Sequence, residues 1–163
     1  MILGFYDDDF LMKIMARNPY LTIVDQAHYQ KTESIKAREN YYDIIICREF
    51  IEHVHDQNKL MNVCHRLLKK NGSLLIETPN VHTWHSKLLF MFSDNVSFFR
   101  SKYIQNYDHK HPLFTWSLRQ LCKKRFLIIR EEFNFGVIPL LRIRFKTHFK
   151  LLGDSYDIVL RKM

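Results

Sequence analysis

Two carboxylates and an imidazole fall within five residues at Glu49-Phe50-Ile51-Glu52-His53, directly behind the apolar run Tyr42-Asp43-Ile44-Ile45-Ile46-Cys47. Glutamate and histidine are the usual side chains for moving protons on and off a bound molecule. A structural reading stands beside that one: Glu52 caps the following turn and His53 packs. Nine histidines in all raise the question of metal, with local clusters at His53-Val54-His55-Asp56, His82/His85 and His109-Lys110-His111. Histidines two apart diverge on a helix and chelate only from an extended segment. No cysteine pair and no His-Glu-x-x-His motif accompanies them, so no metal site is expected. Cys47, Cys64 and Cys122 are too few and too widely spaced for a disulfide framework.

The elements that would carry these groups alternate. Phe10–Arg17 has apolar Phe10, Leu11, Ile14 and Met15 at helical spacing, behind Asp7-Asp8-Asp9, which can cap it. Asn18-Pro19 stops that helix, and Leu21–Val24 reads as a strand ending at Asp25. The run Tyr42–Cys47 predicts a strand buried on both faces of a parallel sheet. A helix follows over Asp56–Lys70, with Leu60, Val63, Leu67 and Leu68 on one face and Asn71-Gly72 as a left-handed cap. Ser73–Thr78 is the next strand, so this stretch forms a βαβ unit with a right-handed crossover. Thr115–Leu121 opens another helix, Phe126–Arg130 and Tyr156–Leu160 are further strands, and residues 81–111 are rich in aromatics without a clean period. The fold class is therefore α/β.

A chain of 163 residues suits one domain, 1–163, with one core. No apolar run reaches the ~20 residues of a membrane-spanning helix, and the N-terminus lacks a secretory layout. A cytoplasmic protein is expected. The net charge of +8 is uneven: residues 1–99 hold 11 Lys/Arg and 12 Asp/Glu, whereas residues 100–163 hold 14 and 5. That asymmetry favours an anionic partner, although a merely solvated basic face explains it equally. Arg142–Lys150 alternates basic with mostly apolar residues and forms a basic amphipathic segment as either strand or helix. It lies in a basic insertion, 134–153, suited to an anionic lipid or a phosphate group, with nucleic acid also open.

The block Tyr42–Asn80 resembles strands four to five of class I S-adenosylmethionine-dependent methyltransferases, of the small-molecule type. The family's "E-x-x-E-H" turn is matched by Glu49–His53, its "R-x-L-K-x-G-G" helix end by Arg66–Gly72, with Asn71 for the first glycine, and its "T-P-N" strand ending by Thr78-Pro79-Asn80. His111-Pro112-Leu113-Phe114-Thr115 is similar to its "H-x-x-x-F-T" entry to the last helix, and Gly153-Asp154-Ser155 fits before a terminal strand. The resemblance implies a Rossmann-like, mostly parallel sheet flanked by helices, incomplete at the N-terminal side. It implies S-adenosylmethionine as cofactor, a small-molecule acceptor, and Cys47, Arg48 and Glu49 near the methyl group. Glu52 and His53 become the candidate bases. Residues 81–111 stand where family members insert a substrate-covering lid, although core packing accounts for their aromatics equally.

The family's glycine-rich turn after strand one has no counterpart here, and two registers account for residues 1–42. In the first, Met1–Leu3 ends strand one, Gly4 is the first glycine, Tyr6 and Asp8 replace the other two, and Asp25 is the acid that bonds the ribose hydroxyls. In the second, Ile2–Tyr6 is strand two, Asp7 is the ribose acid, Leu21–Val24 is strand three with Asp25 on the adenine side, and the central strand one is lost. Both registers predict weakened cofactor binding. The alternative functions are a non-catalytic methyltransferase-like remnant that binds an anionic partner through its basic C-terminal region, and a dinucleotide-dependent oxidoreductase. The oxidoreductase reading lacks its own G-x-G-x-x-G.

Overall fold

The computed structural model describes residues 2–4, 23–24, 39–99, 111–138 and 143–163. Among them seven strands make one sheet: β1 (Ile2–Gly4), β2 (Ile23–Val24), β3 (Tyr42–Arg48), β4 (Leu68–Pro79), β5 (Phe126–Ile138), β6 (Ile143–Phe145) and β7 (Gly153–Lys162). Their order is β2-β1-β3-β4-β7-β5-β6. Neighbours from β2 to β4 are parallel, and β7 is antiparallel to both β4 and β5. Five strands, β1 to β5, therefore point one way, as expected of a mostly parallel Rossmann-like sheet.

Helices α1 (Gln57–Leu67) and α3 (Thr115–Lys123) cover one face. Leu60, Met61, Cys64 and Leu67 of α1 and Leu118 and Cys122 of α3 bury against Ile45 and Cys47 of β3, Leu74 and Ile76 of β4, and Ile158 and Leu160 of β7. That alternation on three neighbouring strands is the period-two signature of a sheet face. A third helix, α2 (Trp84–Ser93), is capped by the Thr83 hydroxyl accepting from the Ser86 N–H. It gives order to part of the aperiodic aromatic stretch. Residues 100–110 of that stretch lie outside the described residues.

Three expectations are corrected. First, β3 is not buried on both faces: Ile45 is fully buried but Ile44 is 56% exposed, because the two helices pack on the Ile45 side. Second, the helix predicted to run to Lys70 stops at Leu67. Leu68 pairs instead with Tyr42, and the Asn40 and Tyr41 N–H groups take the carbonyls of Arg66 and Leu67 at 3.0 and 2.8 Å. Third, Asn71 does adopt the left-handed conformation (φ 63°), but within β4 beside an irregularity in the ladder rather than as a helix cap. The basic segment contributes the strand β6, which forms a hairpin with the end of β5.

β1 lies between β2 and β3, with Ile2 opposite Ile23 on one side and Ile46 on the other. The sheet has no gap beside β3, and this arrangement fits the first register, with a short central strand ending at Gly4. Asp7, Asp25, Tyr6, Asp8 and the predicted helix Phe10–Arg17 lie outside the described residues.

Candidate functional site

The chain passes from β1 outward to β2, then returns across β1 to β3. Connections therefore leave β1 and β3 in opposite directions, and the place where open α/β sheets form their ligand crevice lies beyond these carboxyl ends. Gly4 and Arg48 are paired at this end. Arg48 forms an ion pair with Glu77 of β4 at 3.0 Å. Glu49 then turns the chain with φ 42°, and its N–H donates to the Glu77 carbonyl at 2.9 Å. Cys47 differs from its two neighbours. Its side chain is buried in the core, and burial, reinforced by Cys64 and Glu52, pushes its thiol well up. What Cys47 can offer a ligand is backbone.

Beyond Glu49 the chain makes a single 3-10 turn, Ile51–His53, seated on buried Phe50 and Ile51. This turn buries Glu52 completely and leaves His53 2% exposed. The Thr78 hydroxyl, from the end of β4, donates to Glu52 Oε2 at 3.2 Å. Glu52 Oε1 is buried and has no hydrogen-bond partner among the described residues. Burial is the main cause that pushes the Glu52 carboxyl up to about 8, so the acid is mostly protonated at neutral pH. The cap reading of Glu52 does not hold: the cap of α1 is Asp56, whose carboxylate accepts from the Lys59 N–H at 2.8 Å. His111, not singled out from the sequence as a site residue, joins this group. Its N–H donates to the Glu52 carbonyl at 3.1 Å, its ring meets that of His55, and its Nε2 is buried without a partner among the described residues. The signal was the His111–Thr115 motif, which marks a helix entry and says nothing of a neighbour 59 positions earlier in the chain.

Asn80, which ends the T-P-N stretch, holds the rim of the crevice. Its Nδ2 donates to the carbonyls of Lys150 and Gly153 at 2.7 and 2.6 Å, and its Oδ1 accepts from the His82 N–H at 2.9 Å. The His82 Nε2 in turn sits 3.3 Å from the Thr115 hydroxyl and accepts from the Thr115 N–H at 3.4 Å. Burial, then the charges of Lys150, Lys87 and Arg119, depress His82 to about 4, so the ring is neutral and free to accept. These bonds bring α2, the start of α3 and the turn before β7 to one rim. Trp84, Phe92, Phe114, Trp116 and Phe149 are exposed on those elements, with Phe92 reaching 81%. Among the described residues no group of three or more His, Cys, Asp or Glu is arranged to hold a metal ion, and no helix is long and apolar enough to cross a membrane.

Comparison with known proteins bears on this arrangement directly. A family model described as a methyltransferase domain matches residues 11–125. The ubiquinone biosynthesis O-methyltransferase of Sodalis glossinidius is 36% identical over 56 residues, which are 33% of this chain and 22% of that protein. The chain thus matches about a fifth to a quarter of the length of its curated relatives. Among solved structures, an S-adenosylmethionine-dependent methyltransferase from Archaeoglobus fulgidus superposes with a TM-score of 0.59 at 17% identity, over 99% of this chain and 75% of the other. One from Thermotoga maritima gives 0.64 at 17%, over 94% and 70%. At such identities the structures establish the fold, and the family model establishes descent. The sheet with its switch point, the Glu49–His53 turn and the match over residues 11–125 converge: the chain belongs to the class I S-adenosylmethionine-dependent methyltransferases.

Proposed function

We propose that this domain transfers a methyl group to a hydroxyl of a small, largely apolar acceptor at the crevice beyond β1 and β3. The observation that carries this reading is the Glu52 carboxyl, fully buried, with Oε1 lacking a partner among the described residues. A buried polar atom without a partner costs about 1–3 kcal/mol, and a hydroxyl-bearing ligand would relieve that cost. Names of the curated relatives support oxygen as the acceptor atom, and the aromatic rim supports an apolar body.

S-adenosylmethionine, when bound, supplies a sulfonium methyl group. The residues present fit such a group on the β3 side: Gly4 leaves the backbone at the end of β1 approachable, and the ends of β1 and β3 are paired at Gly4 and Arg48. When bound, that group would give its methyl to the acceptor hydroxyl, whose proton would then need a base among this chain's own residues. Glu52 is suited to that role, because a carboxyl near 8 is ionised in about a tenth of molecules at pH 7 and holds the proton well once it has it. His53 and His111 flank it and orient the acceptor. Alignment of donor and acceptor supplies the rest of the acceleration. Exposed Lys146, His148 and Lys150 at the same rim suit a phosphate or anionic lipid group on the acceptor.

Calorimetric titration of the chain with S-adenosylmethionine tests the reading. Micromolar to submillimolar binding is expected, weakened by Tyr6 and Asp8. Absence of heat at millimolar cofactor would instead favour the non-catalytic interaction domain.

A further inference from the structure

The end of the sheet opposite the crevice collects cations from three distant stretches. Arg66 lies in the last turn of α1, and Lys69 and Lys70 follow the helix. α3 ends with Lys123, with Lys124 and Arg125 in the turn before β5. β7 runs antiparallel to β4 and β5, so its last residues, Arg161 and Lys162, return to the same end. Contacts join the three groups: Lys162 Nζ donates to the Asn40 side chain and to the Leu68 carbonyl at 2.8 and 2.7 Å, and Arg125 Nε donates to Asn62 of α1. His65 lies close enough to Lys162 and Arg125 for both to lower its pKa, after burial. Among the described residues these eight Lys/Arg make one ion pair, between Lys69 and Asp43 at 2.9 Å.

Helix C-termini favour cations in their last turn, which accounts for Arg66 and Lys123. It does not account for Lys70, Lys124 and Arg161, which lie beyond the helices and are exposed. Arg125 also keeps a buried Nη1 without a partner among the described residues. At this end Leu67, Leu68 and Phe126 are buried, whereas Tyr41, Ile44, Leu127 and Met163 are exposed. Surfaces that enter a bilayer pair cations with exposed Trp or Phe; here the exposed Trp and Phe side chains, among them Trp84, Phe92, Trp116 and Phe149, gather at the crevice rim instead. A spread of cations from three separate stretches, with no exposed Trp or Phe between them among the described residues, is the footprint of phosphate-backbone recognition.

We propose that this basic pole binds the phosphate backbone of a nucleic acid. It lies at the far end of the sheet from the crevice, so the nucleic acid is a tether or a regulator and not the methyl acceptor. This inference does not depend on the reaction proposed above.

The test is fluorescence anisotropy of a labelled single-stranded 20-mer titrated with the full chain from ~50 to 200 mM salt. Log affinity should fall against log salt with a slope near −3, given about 0.7 per phosphate contact on single strands. The triple variant Lys70→Glu, Lys124→Glu, Arg161→Glu should bind at least about tenfold more weakly with a flatter slope, and the glutamine triple should lie between it and the native chain. A charge-matched control, Lys59→Glu, Lys87→Glu, Arg130→Glu, should stay within about threefold of the native chain. Circular dichroism verifies that each variant is folded. Equal losses in both glutamate triples would overturn the proposal, since net charge alone would then be responsible. Absence of binding at ~50 mM salt would overturn it as well, as would phosphatidylserine vesicles or polyglutamate binding as tightly as the oligonucleotide.

Discussion

Replacing Glu52 by Gln keeps the shape of the buried side chain and its acceptor for Thr78, and removes its titration. The native carboxyl ionises near 8 in the folded chain, against an ordinary value of 4.5. Below 4.5 the folded and unfolded chains both hold the proton, and pH has no effect through this group. Above 4.5 the unfolded chain releases its proton while the folded chain keeps it, so stability falls as pH rises. The fall ends near pH 8, where both states are ionised. Each tenfold difference in proton affinity is about 1.4 kcal/mol, so the whole effect is on the order of 5 kcal/mol. About 3 kcal/mol of it should appear between pH 5 and pH 7. Other groups titrate too, among them Glu77, Asp157 and His82, so the quantity to read is the difference between native and Glu52→Gln chains. Urea unfolding of both at pH 5, 6, 7 and 8 supplies it. The Gln variant should gain on the native chain steadily with pH, whatever its offset at pH 5. A difference constant to within about 0.5 kcal/mol across that range would show that Glu52 is not the buried, neutral acid described here.

Asn80→Ala removes three hydrogen bonds and strands the Lys150 and Gly153 carbonyls. A loss of about 2–4 kcal/mol is expected, with faster amide exchange in the turn before β7 as its local readout. Gly153→Ala should cost about 1–3 kcal/mol by thermal or urea unfolding, by overpacking. An added Cβ there meets the Phe133 Cβ at 2.9 Å and the Asn134 backbone nitrogen at 3.0 Å, neither of which can swing aside.

The block Tyr42–Asn80 was legible because its signals are local: an apolar run, a helical stripe, a turn residue. Where the reading failed, a tertiary contact had overridden a local preference. Lys69 and Lys70 are good helix formers, yet pairing of Leu68 with Tyr42 and the Lys69–Asp43 ion pair draw them into the strand. Asn71 kept its left-handed conformation and changed its element. The apolar run concealed a parity. With Ile44, Ile45, Ile46 and Cys47 all apolar, nothing in the sequence tells which set faces the helices, and the structure puts Cys47 in the core beside Ile45. The same parity sends Arg48 outward to Glu77.

The candidate site divides along the same line. Glu52 and His53 were visible because they are neighbours in sequence, whereas Thr78 and His111 become their neighbours only through the ends of β4 and the entry to α3. Charge shows this most clearly. The excess of cations in residues 100–163 pointed to Arg142–Lys150, where basic and mostly apolar residues alternate. A second patch is assembled in space from 66–70, 123–125 and 161–162, stretches far apart in the chain. One fact of topology assembles it: β7 is antiparallel to its neighbours, so the chain's last cations return to the end where β4 and β5 begin. Were β7 parallel to them, Arg161 and Lys162 would lie at the crevice, and the two ends of the sheet would not differ in charge as they do.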